Sequence, residues 1–456
     1  VPLETAPTFL QEKPSLAGAN GLSGRISYTL TTLTPLCIHQ DPGKPVREAG
    51  RDLFLFARLG KQPCIPATSL KGMLRAVHEA LTNSTMGLLN SRAWYAEDEH
   101  IPAAYRPGGP NLTNSNCGFR ISTTVLADTN ATSRLVTCHL SLVTWYLTAS
   151  EALFGMVGQS KNYPDGRAGR LFIDDIGLPD SRMLRAQPVS RPAGGQPKPA
   201  HKSFYFRSDG QVLGRKFYYH QHNYRDALDV YKRRRMPEIE VEAIPAGTSL
   251  TGCLRFVALT EAELDALIYT LILEDGLAHK LGYGKPLGLG SVRITINDLE
   301  IEPQINGVPA RFRSYGTPTL ENCNAEIEPR RERARIAWQQ RPNGGAASYA
   351  AFTAIARWPQ NENFIYPDFS YFRSQRGRGN QEALWTYQGR LADAYHPGSA
   401  TPVADDTPQY EHDTGEAPDK PEQTPLPAPT ERRRGLFDRR SEIGISVQDE
   451  LDERIY

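Results

Sequence analysis

Thr260-Glu261-Ala262-Glu263-Leu264-Asp265-Ala266-Leu267-Ile268-Tyr269-Thr270-Leu271-Ile272, then His279-Lys280-Leu281-Gly282-Tyr283-Gly284-Lys285-Pro286-Leu287-Gly288-Leu289-Gly290, then Ser291-Val292-Arg293-Ile294-Thr295-Ile296 is the stretch on which the fold turns. Thr260 with Glu263 three residues on is a capping-box start, and Leu264, Leu267, Ile268, Leu271 and Ile272 share one apolar helix face. Val292, Ile294 and Ile296 alternate as a half-buried strand does. Between them, Gly282, Gly284, Gly288 and Gly290 let the backbone turn sharply and approach a ligand closely, with Lys280 and Lys285 beside it. That suits phosphate, yet the nucleotide fingerprints do not fit. Gly288 falls one residue too late for G-x-G-x-x-G, and Pro286 follows Lys285 where a P-loop has Ser or Thr.

Working outward, Ile26, Tyr28 and Leu30 alternate with polar residues over 25–33, a first strand. Polar residues 39–51 then lead to Asp52 and the short apolar run Leu53 to Phe56. From Pro66 a helix begins, with Thr68 or Ser69 as cap and Leu70, Met73, Leu74, Val77 and Leu81 as its apolar stripe. Lys71, Arg75 and His78 share another face, which reads either as a solvated basic edge or as a phosphate site at a helix N-terminus. Arg170 to Ile173 reads as a buried strand ending at Asp174-Asp175, an acidic pair that is a solvated strand end or, less commonly, a metal site. Two alternating runs at 238–257, broken at Pro245-Ala246-Gly247, form a hairpin or a broken strand. The order strand, helix, strand, strand, helix, strand predicts an α+β fold, a ferredoxin-like, RRM-like βαββαβ unit over 1–302. Insertions are expected near 83–134 and 179–236.

Arg215, Lys216, Tyr218, Tyr219 and His220 interleave charge and rings as a base-stacking surface requires. His220 and His222 are alternatively zinc ligands, although no third close ligand accompanies them. Tyr231 to Arg235 adds a basic cluster, solvated or specific. Past 302 the periodicity weakens. Residues 303–395 read as an extension with the aromatic Phe364–Phe372 and basic Arg373–Gly379 stretches, 396–430 as a disordered acidic linker, and 431–456 as a docking segment.

The chain has 456 residues, 39% of them hydrophobic, enough for a sizeable core, and a formal charge of +1 that hides local basic and acidic clusters. Six cysteines stand singly, without C-x-x-C, which argues against a zinc knuckle or disulfide framework and for a reducing compartment. The first residues lack a charged region followed by an apolar run, and no stretch approaches the ~18 apolar residues of a membrane span. The expectation is a soluble, untargeted cytoplasmic protein without an organic cofactor.

Ile65-Pro66-Ala67-Thr68-Ser69-Leu70-Lys71-Gly72-Met73-Leu74-Arg75 resembles the I-P-G-S-S-L-K-G-x-x-R signature of the CRISPR-associated RAMP superfamily, with Ala67 in place of the usual Gly. Leu153-Phe154-Gly155 with Ala168-Gly169-Arg170-Leu171-Phe172 resembles its L-F-G … A-G-R-L segment, and the loop after His279 its glycine-rich signature. Segments 214–222 and 259–273 resemble a long-chain subgroup found with type III systems. The resemblance implies a backbone subunit of a type III effector in antiviral defence. Its palm would hold guide RNA, its thumb would interrupt the guide–target duplex, and its partners would be target RNA, other backbone subunits and the large subunit. It implies phosphate contacts by Ser69, Lys71, Arg75 and the loop Lys280, Gly282, Tyr283, Gly284, Lys285, Gly288 and Gly290. It also implies that an Asp before the I-P motif, Asp52 or failing that Asp41, cleaves target RNA with a transiently bound Mg²⁺. The alternatives are a non-catalytic RNA-binding subunit, or a guide-processing ribonuclease using His39, His220 or His222.

Overall fold

The structure, a computed structural model, describes residues 1, 21–40, 45–48, 51–86, 120–125, 136–141, 148–156, 167–190, 214–226, 228, 238–306, 308–312, 319–342, 344–364 and 366. The elements that position the site are, in chain order, β1 (Leu22–Thr32), β2 (Val46–Glu48), β3 (Arg51–Phe54), α1 (Ala67–Leu81), α2 (Ala149–Phe154), β4 (Leu171–Ile173), β5 (Arg185–Ser190), β6 (Glu238–Ala243), β7 (Ser249–Leu259), α3 (Glu261–Ile272), β8 (His279–Lys280), β9 (Ser291–Ile301), α4 (Ile327–Gln340) and α5 (Gly345–Ala356).

The main sheet runs β4-β7-β1-β9-β8, every neighbour antiparallel, with Glu321–Asn322 pairing at the end of β9. With α1 and α3 as the two crossovers, this order is compatible with the expected ferredoxin-like unit. Alternation places Ile26, Tyr28 and Leu30 of β1 inward, where they pack with Leu250, Leu254 and Phe256 of β7 and Val292, Ile294 and Leu299 of β9. Leu70, Met73 and Leu74 of α1 and Leu264, Leu267, Ile268 and Leu271 of α3 cover them. Each such buried side chain contributes about 1.5–3 kcal/mol. The opposite sheet face is polar and closes on itself, through Ser27 to Asp298 (3.1 Å), Thr29 to Asn297 (3.0 Å) and Thr31 with Ser249 (3.0 Å). A bulge at Asn297, where Ser27 pairs with Asp298 and Tyr28 with Ile296, explains why the alternation read at 292–296 lapses although the strand continues to Ile301.

A second sheet, β5-β6-β3-β2, joins β6 to β3 in parallel and the other pairs antiparallel. Residues 238–257 are therefore a broken strand serving two sheets, with Gly247 at φ +82° in the break. The core of the second sheet, Phe54, Val189, Ile239, Val241 and Ala243, receives Cys37 and two residues of the glycine loop, Leu287 and Leu289.

Two further helices went unread in the sequence. Trp338 of α4 is fully buried with Phe352 and Ala356 of α5 against Val77, Ala80 and Leu81 of α1 and Ala266, Tyr269 and Leu273 of α3. Arg330 and Arg333 of α4 pair with Asp265 of α3 at 3.0 and 2.7 Å, and Arg330 also reaches Glu261 at 2.6 Å. The part of 303–395 up to Tyr366 is thus built onto the helical face of the main sheet. The expected linker 396–430 and docking segment 431–456, the basic stretches 231–235 and 373–379, and Asp41 lie outside the described residues.

One strand reading changes. β4 is an edge strand with Leu171 buried and Phe172 48% exposed, so only one of its faces meets the core. Val136–Ser141 forms a strand paired antiparallel with Arg120–Val125.

Candidate nucleic-acid interface

The glycine loop folds back on residues 33–38 and uses its own N–H groups to do so. Tyr283 N–H donates to Cys37 O (2.7 Å), Gly290 N–H to Pro35 O (2.9 Å), Leu281 N–H to Gly290 O (2.8 Å) and Leu289 N–H to Gly284 O (3.2 Å). Gly282, Gly284, Gly288 and Gly290 all have φ between 71° and 92°, the left-handed region. A Cβ on Gly282 would lie 2.1 Å from Cys37 O, and one on Gly290 1.9 Å from Leu281 O. On Gly288 it would meet Gln221 and Tyr224, and on Gly284 the Leu289 side chain. These glycines admit the protein to itself, and several of the loop's N–H groups are engaged within it.

What the loop does present is cationic. Lys280 Nζ donates to Leu289 O at 3.0 Å, and Lys280 and Lys285 are both half-buried. Burial, with Lys285 beside it, pulls the Lys280 ammonium down to about 7, and burial, with Lys216 beside it, pulls Lys285 down to about 8. Lys216 is exposed, its Nζ 5.0 Å from the centre of the Tyr218 ring. The segment bearing Lys216 is tied to the loop, for Gln221 Nε2 donates to Pro286 O at 3.3 Å. Burial is the main cause of both shifts, and Lys285 bears on Lys280 as Lys216 bears on Lys285, so the loop and the segment tied to it form a cationic region.

The other residues of 214–222 are occupied differently from the expected stacking surface. Tyr219 stacks on Phe364 (4.0 Å between centroids), Tyr218 tilts against Tyr366 (5.5 Å) and Phe217 meets Phe352 edge-on (5.4 Å). Residues 360–366 bind this stretch like a strap. Gln221 Nε2 donates to Phe364 O (2.7 Å) and its Oε1 accepts from Phe364 N–H (2.6 Å); Asn223 N–H reaches Asn363 Oδ1 (2.9 Å) and Tyr219 N–H the Tyr366 hydroxyl (2.8 Å). His220 is 1% exposed with Nδ1 at Ser291 Oγ (2.8 Å) and Nε2 at Ala278 O (3.0 Å), and burial holds it well below the usual imidazole range. Both ring nitrogens of His220 are engaged within the protein, and His222 Nδ1 faces Gln360 O (2.8 Å). Arg215 is likewise withdrawn: 8% exposed, it donates to Ser84 O and sits 3.7 Å from Glu79.

At the start of α1 the cap is Pro66, without a side-chain cap bond, so neither Thr68 nor Ser69 caps the helix. Asp175 takes that role from outside, its Oδ1 accepting the Ala67 N–H at 2.6 Å. A carboxylate already sits where the phosphate was expected. Asp174 lies 3.4 Å from Arg255, so the acidic pair divides between two tasks and forms no joint metal site. Ser69 and Lys71 are half-buried near this end. Arg75 and His78 do not form a solvated edge. Arg75 is 8% exposed, with Nε on Glu79 (2.8 Å) and Nη1 on Gly155 O (3.0 Å); His78 is fully buried with Nδ1 at Ser150 Oγ (2.6 Å). Arg75 thus braces α1 to Glu79 and to the end of α2.

Asp52 is exposed, on strand β3 rather than in a loop, opposite Arg47 of β2. Strand periodicity puts it on the same face as Phe54. Phe54 stacks on His39 (4.7 Å), and His39 on Tyr283 of the glycine loop (4.0 Å). Burial pushes the His39 imidazole down to about 4, so it stays neutral at physiological pH. Among the described residues no group of three His, Cys, Asp or Glu could hold a metal ion. A single carboxylate suits only a largely hydrated Mg²⁺ that arrives with an RNA phosphate.

Sequence reasoning missed Asp175 as the cap of α1, Gln221 as the bridge between strap and loop, and Glu79 as the partner of two arginines. None has a periodicity or motif that announces it; each acts on residues more than 60 positions away or on a buried neighbour. Among the described residues no helix is long and apolar enough to cross a membrane. Comparison with curated proteins gave no match. A family model described as the RAMP superfamily matches residues 29–293, from β1 through the glycine loop into β9.

Proposed function

Since the chain belongs to the RAMP superfamily, we propose that it is a guide-RNA-binding backbone subunit of a type III CRISPR ribonucleoprotein that cleaves complementary target RNA with a divalent metal. RAMP proteins work with RNA and other subunits in CRISPR effector complexes. What supports the RNA-binding part is the docked glycine loop carrying Lys280 and Lys285, with the segment of the exposed Lys216 tied to it through Gln221 and Pro286. A phosphodiester would neutralise cations that burial and neighbouring charge disfavour, without reading sequence; base pairing with the guide reads the target. Lys71 and Ser69, near the start of α1, are assigned as further contacts to the guide backbone. Substituting Lys216, Lys280 and Lys285 by Ala in turn is expected to weaken guide binding and lower the salt slope by about 0.7 per lost phosphate contact on single strands. An unchanged slope in all three would overturn the assignment.

For cleavage, the residue is Asp52. Asp52 would hold a Mg²⁺ that would supply charge stabilisation at the scissile phosphate while the neighbouring 2′-oxygen, its proton passing to solvent, bonds to phosphorus in line and the 5′-oxygen leaves as a hydroxyl protonated from solvent. The part of Asp52 is to hold a negative oxygen at a fixed point, its backbone pinned by strand pairing to Arg47 and, next door, by Leu53 pairing with Glu240 of β6. Asp52→Ala is expected to reduce target cleavage by roughly a hundredfold, within the range for loss of a positioned catalytic carboxylate, and to leave guide affinity unaltered. Cleavage at the wild-type rate would remove Asp52 from the reaction. A non-catalytic RNA-binding subunit is the second reading, favoured by the position of Asp52 within a strand, opposite an arginine and, among the described residues, without a group of three His, Cys, Asp or Glu that could hold a metal.

A further inference from the structure

Residues 84–86 and 148–150 are the two stems of the insertion, and they are fastened to each other. Ser150 N–H donates to Ser84 Oγ (3.1 Å), and the Thr85 and Thr148 hydroxyls are 3.2 Å apart. Both stems also answer to one carboxylate. Glu79, 8% exposed in the last turns of α1, has Oε1 accepting from Arg75 Nε at 2.8 Å and Oε2 3.7 Å from Arg215 Nη1. Each arginine carries the tie onward. Arg75 Nη1 donates to Gly155 O (3.0 Å), at the end of α2 behind the returning stem, and Arg215 Nη2 donates to Ser84 O on the departing one.

Arg215 is followed by Lys216, the exposed member of the lysine group. Arg215 is buried and Lys216, next in the chain, is exposed with its Nζ over the Tyr218 ring. A buried carboxylate shared by two buried guanidiniums is an expensive arrangement, and removal of the carboxylate leaves two desolvated cations facing each other. Nothing about α1 as a helix requires it, since the face of α1 toward the main sheet is apolar.

We infer that Glu79 is a positioning residue for the RNA site: it braces both stems of the insertion and, through Arg215, sets Lys216 at the glycine loop. The inference rests on the reading of the lysine group as an RNA phosphate site. It adds a control point on the far side of α1 that touches no RNA itself.

The test is a double-mutant cycle on guide-RNA binding by the full chain, with the salt slope as readout. Lys216→Ala removes one exposed lysine and is expected to lower the slope by about 0.7, one single-strand phosphate contact. Glu79→Gln is expected to lower it by the same amount, and Glu79→Gln/Lys216→Ala to show no further loss, because both remove one contact. A purely structural role for Glu79 would instead give additive losses, or a folded Glu79→Gln protein with the wild-type slope; either outcome overturns the inference. Should Glu79→Gln not fold, Arg215→Gln keeps the Arg75–Glu79 pair and must reproduce the same non-additivity with Lys216→Ala. A wild-type chain whose RNA binding is indifferent to salt, or to Lys216, Lys280 and Lys285 together, would refute the phosphate reading itself.

Discussion

Replacing Arg170 probes what the A-G-R-L segment is for. The guanidinium is fully buried, and each nitrogen has a partner. Nε donates to Ala152 O (3.1 Å), Nη1 to Ala258 O (2.6 Å) and Glu263 (3.0 Å), and Nη2 to Glu263 as well. It thereby joins the last turn of α2, the end of β7 and the first turn of α3. Gly169 beside it lets the chain pass close to α2, for a Cβ there would lie 2.6 Å from Phe154 O. Arg170→Met strands the Glu263 carboxylate in the interior, and loss of one partner of a buried pair costs about 3–5 kcal/mol. At roughly 2–4 °C per kcal/mol for a large domain, the unfolding midpoint falls by roughly 6–20 °C. The midpoint is read by circular dichroism against temperature and urea at two salt concentrations, and the loss is the same at both because the pair is shielded from ions. Arg170→Met/Glu263→Met, which leaves no charge buried, is less destabilised than Arg170→Met alone, although it forfeits the Glu263 bond to Thr260 N–H (2.9 Å) that caps α3. Guide-RNA salt slope, measured below the melting range, is unchanged in both. A loss under about 1 kcal/mol, or a double variant less stable than the single, would refute the view of Arg170 as a charge clamp.

Two further outcomes follow from the loop. Lys280 and Lys285 ionise at about 7 and about 8 in the free protein, and a bound phosphate favours their charged forms, so binding takes up protons. Guide affinity is therefore expected to fall as pH rises from 6 to 9, and to do so less in Lys280→Ala/Lys285→Ala; a flat profile in the wild type would contradict it. The same shifts act on folding in the matching sense: a depressed lysine pKa opposes the charged form, so free-protein stability rises with pH above about 7. Gly282→Ala puts a Cβ 2.1 Å from Cys37 O at φ +78°, and is expected to lower stability by more than the ~1–2 kcal/mol of the left-handed conformation alone; a midpoint equal to wild type would show that the loop does not dock on Cys37.

Elements with a strong period were legible. The capping box at Thr260 and Glu263, the apolar face of α3, the alternation in β1 and the stripe on α1 all reappear as read. In these segments local preference and burial agree. Failure came where a side chain answers to a distant residue. Arg75 looks like a surface cation by helical spacing, yet Gly155 and Glu79 take it inside. Tyr218 and Tyr219 look like a stacking surface, but their partners, Tyr366 and Phe364, lie more than 140 positions on in a segment without periodicity. α4 is charged on most of its surface and its only large buried apolar side chain is Trp338, so no hydrophobic stripe announced it.

The glycine loop marks the boundary between these two cases, and this bears on how RNA is held. Its glycines are needed for an internal docking, and its Leu287 and Leu289 plug the core of the second sheet. A loop so fastened at both Cys37 and Pro35 has little freedom to close on a ligand, so the lysines it carries are set in place ahead of the RNA proposed to bind there. Their lowered ionisation is the measure of that: the ammonium groups are held in a partly desolvated, mutually repulsive arrangement that free side chains would relax. Preorganisation of this kind shifts the energetic cost from binding to folding. It also explains why the second sheet, with Asp52 on the face of Phe54, and the main sheet, with β8 and β9 flanking the loop, are both anchored to the same dozen residues. A displacement of the loop would move the cations and the strand of Asp52 together, through Tyr283, His39 and Phe54.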